Sequence, residues 1–118
     1  MPRSTRRASR TSSRAATETA AQAGALDPVI HQRVRLGIAS ALAAGGATSF
    51  TDLKAVLGLT DGNLSVHARK LEDAGYVRTT KSFVDRTPHT EFELTDAGRA
   101  ALGAYLDQME AVIQAARS

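Results

Sequence analysis

A three-residue corner, Gly58-Leu59-Thr60, sets the tightest limit on how this chain of 118 residues can fold. It joins two short segments whose apolar residues recur at helical spacing. Phe50, Leu53, Val56 and Leu57 precede it, and Leu64, Ala68 and Leu71 come after it. So short a connection forces two helices to meet at a steep angle, as a helix-turn-helix pair. Gly58 supplies the left-handed conformation that the corner needs, Leu59 can plug it, and Thr60 caps the next helix. Such corners occur in many helical domains, so the neighbouring segments decide what the pair is for.

Upstream, Asp27 suits an N-cap and Pro28 the first position of a helix, because its missing N–H would have no partner there. Ile30, Val34, Ile38, Ala41 and Leu42 continue that helix to Gly45-Gly46. Ser49, with Asp52 three residues later, opens the first helix of the pair. The second runs from Asp61 to Ala74 and stops at Gly75, where Tyr76 can fold back on Leu71 as in a Schellman ending.

Two strand-like segments come next. Residues 76–84 are rich in β-branched and aromatic side chains, and residues 90–94 alternate polar with apolar. The cluster Asp85-Arg86-Thr87-Pro88-His89 between them predicts a hairpin with a polar tip. Thr48-Ser49-Phe50 is a candidate for a short third strand.

A long helix, capped by Thr95, extends to about Ala116. Its stripe of Leu102, Tyr105, Leu106, Met109, Val112 and Ile113 is wider than packing on one small body requires. Together with Ile30, Val34 and Ile38, that stripe is the expected twofold interface of a homodimer. The fold class is therefore mainly α with a small β-hairpin. The order of a three-helix core, a two- to three-stranded wing and a long C-terminal dimerisation helix is that of a winged helix-turn-helix.

Charge must be read by location. The formal net charge is +3, but residues 1–25 hold Arg3, Arg6, Arg7, Arg10 and Arg14 against Glu18 alone. The remainder, residues 26–118, is close to neutral. The expected organisation is a disordered basic arm over 1–25, then one winged-helix DNA-binding and dimerisation domain over 26–118. The arm reads either as a nonspecific hold on phosphates or as a solubilising tail.

With no cysteine, disulfides, zinc clusters and thiol chemistry fall away. His31, His67 and His89 lack the spacing of a metal site on one helix turn. There is no nucleophile–base arrangement and no Gly-rich phosphate loop, so the residues support neither an enzyme nor a cofactor. No apolar run approaches the roughly 18 residues of a membrane span.

The chemistry that remains lies on the second helix of the pair. Gly62, Asn63, Ser65, Val66, Arg69 and Lys70 fall away from its Leu64–Ala68–Leu71 stripe. Asn63 can pair with an adenine edge, Arg69 with guanine or a phosphate, and Val66 with a thymine methyl. Gly62 lets the helix N-terminus approach an anionic backbone. His67 lies beside the buried stripe and either supports packing or touches a phosphate. Lys81, Arg86 and His89 are the candidate contacts of the hairpin, since an arginine can enter a narrow minor groove. An ordinary solvated helix face and a charged loop remain the alternative reading of both sets.

Thr-Asp-Gly-Asn-Leu-Ser at 60–65, within the run 60–77, resembles the recognition-helix signature of compact stand-alone winged-helix DNA-binding regulators, related to the MarR and ArsR groups. Thr90-Glu91-Phe92-Glu93-Leu94-Thr95-Asp96-Ala97-Gly98-Arg99 matches the end of their wing, Thr-x-Phe/Tyr-x-Leu-Thr-x-x-Gly-Arg. The resemblance spans residues 26–113. It implies a cytoplasmic, nucleoid-associated transcription regulator, usually a repressor, in which the first and last helices join two subunits. Its third helix would enter the major groove of double-stranded DNA and its wing would touch the backbone or minor groove. Ala68 stands where such sequences more often carry Leu, which implies a looser core there or one filled by a neighbour. Metal-sensing relatives use Cys or His/Asp clusters that are not evident here, and the residues name no small-molecule effector. Two other readings stay open: a protein-interaction winged helix without DNA binding, and a nonspecific nucleoid-type binder driven by the arm.

Overall fold

In the computed structural model, residues 24–118 are described. The basic arm expected over 1–25 lies outside them, apart from Gly24 and Ala25. The elements are α1 (Arg33–Gly45), β1 (Thr48–Ser49), α2 (Phe50–Leu57), α3 (Asp61–Asp73), β2 (Val77–Val84), β3 (Thr87–Leu94) and α4 (Asp96–Arg117). Residues 27–104 form one compact unit, while 105–118, together with 24–26, belong to a second.

The corners form as their residues dictate. Ser49 Oγ accepts from Asp52 N at 3.1 Å and Thr60 Oγ1 from Asn63 N at 3.2 Å, so each helix of the pair is capped. Gly58 between them has φ 63° and ψ 38°. At the end of α3, Tyr76 N donates to Leu71 O and Gly75 N to Glu72 O, both at 2.9 Å, completing the Schellman ending.

α1 begins later than expected. Asp27 does accept from Val29 N, at 2.8 Å, but the chain from Pro28 to Ile30 makes a turn, not a helix. Gln32 is extended (φ −151°, ψ 132°), and its side chain caps the true helix by accepting from Arg35 N at 2.8 Å. A competing cap inside the apolar period thus restarts the helix at Arg33.

The sheet has the order β1-β3-β2, all antiparallel. Thr48–Ser49 supplies the short third strand, paired with Phe92 and Glu91. The hairpin tip is narrower than expected: only Asp85 (φ 50°) and Arg86 (φ 68°) turn, and Thr87–His89 belong to β3. Two consecutive positive φ values make the tight turn whose twist matches the strands it joins. Val84↔Thr87 then closes the ladder, and the next pair, Phe83↔Pro88, falls where no bond to β2 is needed. Proline therefore sits in this strand at no hydrogen-bonding cost, since β1 reaches only Glu91 and Phe92.

Ile30, Ile38, Leu42, Leu53, Leu64 and Leu71 are the largest side chains wholly removed from solvent. One residue each from the first turn and α2, with two each from α1 and α3, thus knit the helices together. Val77, Phe92 and Leu94 bury the base of the sheet. Thr95 fastens the hairpin to the end of α3. Its Oγ1 donates to Gly75 O at 2.7 Å and accepts from Gly98 N at 3.0 Å, and its N–H donates to Tyr76 O at 3.0 Å.

Candidate nucleic-acid interface

Burying Leu64, Ala68 and Leu71 rotates the other side of α3 outward. Gly62, Asn63, Ser65, Val66, Arg69 and Lys70 are all exposed, Val66 to 55%. Six predicted residues thus share one uncovered helical surface. Thr60 Oγ1 takes up the first-turn N–H of Asn63, and at Gly62 the space where a side chain would begin is open. Lys54 of α2 reaches across the corner to Asp61, 2.7 Å away. Both groups are solvent-exposed, so the pair orients the corner more than it stabilises it.

His67 departs from the others. It is half-buried, and its Nδ1 lies 3.2 Å from Arg35 Nη1. The same guanidinium donates from Nε to Val29 O at 2.6 Å and from Nη2 to Pro28 O at 3.4 Å. Arg35 therefore ties the turn before α1 to the recognition face. For Nδ1 to accept, the imidazole must be neutral with its proton on Nε2. Burial, then Arg35, then Lys70 hold the His67 pKa below its ordinary value, which favours that neutral form. Sequence reasoning missed Arg35, since nothing local links positions 35 and 67.

On the hairpin, Lys81 and Arg86 are exposed, and His89 is half-buried with Nε2 3.5 Å from Glu91 Oε2. Strand alternation puts Lys81 on the face that carries Val77 and Thr79, turned toward α3. There it lines a cleft of about 590 Å³ with Ser65, Ala68 and Arg69 of α3, while the rings of Phe50 and Phe92, tilted by 43°, lie 6.1 Å apart along its lining. Ala68 is itself buried and lines this open cleft.

The residues expected to join two subunits divide. Ile30, Ile38, Leu102 and Tyr105 are buried within the single chain, so they offer a partner almost no surface. The helical period marked them as apolar without saying against what. Leu106 and Ile113 remain 50% and 44% exposed, and Val34, Met109 and Val112 partly so. Among the described residues no group of three or more His, Asp or Glu could hold a metal ion, and no helix is long and apolar enough to cross a membrane.

Residues 34–113 match the family model described as winged helix DNA-binding domain. An uncharacterized protein of Methanocaldococcus jannaschii is 37% identical over 78 residues, which are 66% of this chain and 85% of that one. The structure of a transcriptional regulator homologue from Pyrococcus horikoshii is 40% identical, with a TM-score of 0.69, over 73% of this chain and 85% of that one. The Mycobacterium tuberculosis transcriptional regulator MOSR, solved in complex with DNA, shares the fold at 24% identity, with a TM-score of 0.61 over 92% of this chain and 74% of its own.

Proposed function

We propose that this chain, which belongs to the winged-helix DNA-binding domain family, is a MarR-like transcription regulator and not an enzyme, a repressor that binds specific double-stranded DNA as a homodimer. The observation that carries this reading is the uncovered side of α3 from Asn63 to Lys70. Asn63 is the base-reading candidate, Ser65, Arg69 and Lys70 address the backbone, and Val66 meets a thymine methyl. Lys81 and Arg86 extend the contact along the hairpin. His67 acts mainly as a support, through Arg35, and His89 sits at the margin beside Glu91.

Leu106, Met109, Val112 and Ile113 would form the subunit contact, setting two α3 helices about 34 Å apart on a pseudo-palindromic site. Repression results from denying polymerase that site, within the cytoplasmic nucleoid. Selection from a random duplex pool, then titration of wild type and Arg69→Ala against salt, tests the reading. Wild type should enrich one sequence, and the variant should bind it more weakly, with a salt slope lower by about 0.9 per lost phosphate contact. Binding without enrichment would favour the nonspecific nucleoid reading. No salt-dependent binding would favour a protein-interaction role.

A further inference from the structure

The hairpin ends in apolar side chains that the fold does not use. Phe83 is 74% exposed and Val84 53% exposed, directly before the turn. The register pairs Phe83 with Pro88 on the face that carries Lys81 one step closer to the base. Of the three phenylalanines, Phe92 is buried and Phe50 is half-buried against it, so only Phe83 is offered to solvent. Arg86, at φ 68°, crowns the same tip.

Charge and spacing identify what this tip meets. Lys81 and Arg69 line opposite walls of one cleft, so a nucleic-acid strand can lay its phosphates across both cations. Phe83 lies two residues farther out along the strand, about 7 Å. A minor groove is only about 6 Å wide, so a side chain at that distance from a phosphate ridge stands over the groove. Phenylalanine and proline are among the side chains that wedge between base steps, and the groove's negative potential welcomes a cation such as Arg86 beside them.

We infer that the hairpin tip is an apolar minor-groove wedge: Phe83, backed by Pro88, partly unstacks a base step next to the site read by α3 and bends the duplex. The inference rests on the DNA-binding reading above and adds a deformation to it. It makes a flexible pyrimidine–purine step the preferred sequence under the tip, at positions that α3 never touches.

The test uses the full chain and a duplex of about 30 base pairs recovered from the random-pool selection, labelled at both ends for energy transfer. Wild type should bend it by about 20° or more. Phe83→Ala should bind about tenfold more weakly and abolish most of the bend while keeping the wild-type salt slope, because the phosphate contacts remain. Arg69→Ala should do the reverse, lowering the slope and keeping the bend in the complex. The melting temperature of Phe83→Ala should equal wild type, since the ring is exposed.

A bound but unbent duplex, or a Phe83→Ala complex as tight and as bent as wild type, overturns the wedge and leaves the DNA reading standing. Absence of any duplex binding by wild type overturns both. Loss of self-association in Phe83→Ala by sedimentation, with the bend unchanged, would make the tip a contact between copies and also overturn the wedge.

Discussion

Gly98 lies buried in the first turn of α4, and helix propensity alone would favour replacing it with alanine by up to about 1 kcal/mol. The surroundings reverse the sign. A Cβ there would lie 2.1 Å from Tyr76 O, 2.8 Å from Tyr76 C and 2.9 Å from Leu94 Cδ1. The first distance is about 1.2 Å inside even a close C···O contact of about 3.3 Å. Tyr76 cannot step aside freely, because its N–H is held by Leu71 O, its carbonyl by Thr95 N and its hydroxyl by Asp27.

Overpacking costs about 1 to 3 kcal/mol, and losing the Thr95–Tyr76 bond adds about 1. Less the propensity gain, Gly98→Ala should destabilise by about 1 to 3 kcal/mol. At this size that lowers Tm by about 5 to 20 °C. Gly103→Ala, in the same helix with nothing within 4 Å of the new carbon, should instead raise stability by about 0.5 to 1 kcal/mol. Thermal melts tracked by helical circular dichroism, at matched protein concentration because assembly shifts Tm, read both. A Gly98→Ala protein that melts at or above wild type would refute the reasoning.

The same contacts set three further outcomes. The His67 pKa is lowered in the folded chain, by burial, then Arg35, then Lys70, so the unfolded chain binds the proton more readily. Stability should be whole above the unfolded value of 6.5 and fall as pH drops through it, and His67→Gln should flatten that part of the Tm–pH curve. The Tyr76 pKa is raised, first by its hydrogen bond to Asp27. That bond stabilises below pH 10 and is lost as pH rises past it, and Tyr76→Phe should cost about 1 to 2 kcal/mol by urea denaturation at about pH 7. Arg86→Gly removes a side chain from φ 68° and should raise stability by about 0.5 to 1 kcal/mol, while binding of the selected duplex weakens in anisotropy titrations.

The corners were legible because their signals are local. Ser49, Thr60 and Thr95 each cap through a bond to a residue three positions on, and Gly75 ends α3 through bonds that span no more than five residues. The recognition face was legible for a related reason: once Leu64, Ala68 and Leu71 are known to face inward, helical geometry turns Asn63, Val66 and Arg69 outward. The start of α1 escaped because Asp27 and Gln32 both have capping chemistry, and the chain uses both, one on a turn and one on the helix.

Order, caps, turns and the outward face of α3 were thus written in short runs of residues, where each bond closes within a turn or a strand pair. Other properties belong to the folded body: that Ile30, Ile38 and Leu102 fill a core in place of a subunit contact, that Arg35 braces His67, that Gly98 has no room for a methyl group, and that Phe83 is left bare. Each depends on what stands opposite a side chain once distant segments have met, and periodicity records that a residue is apolar without recording its neighbour.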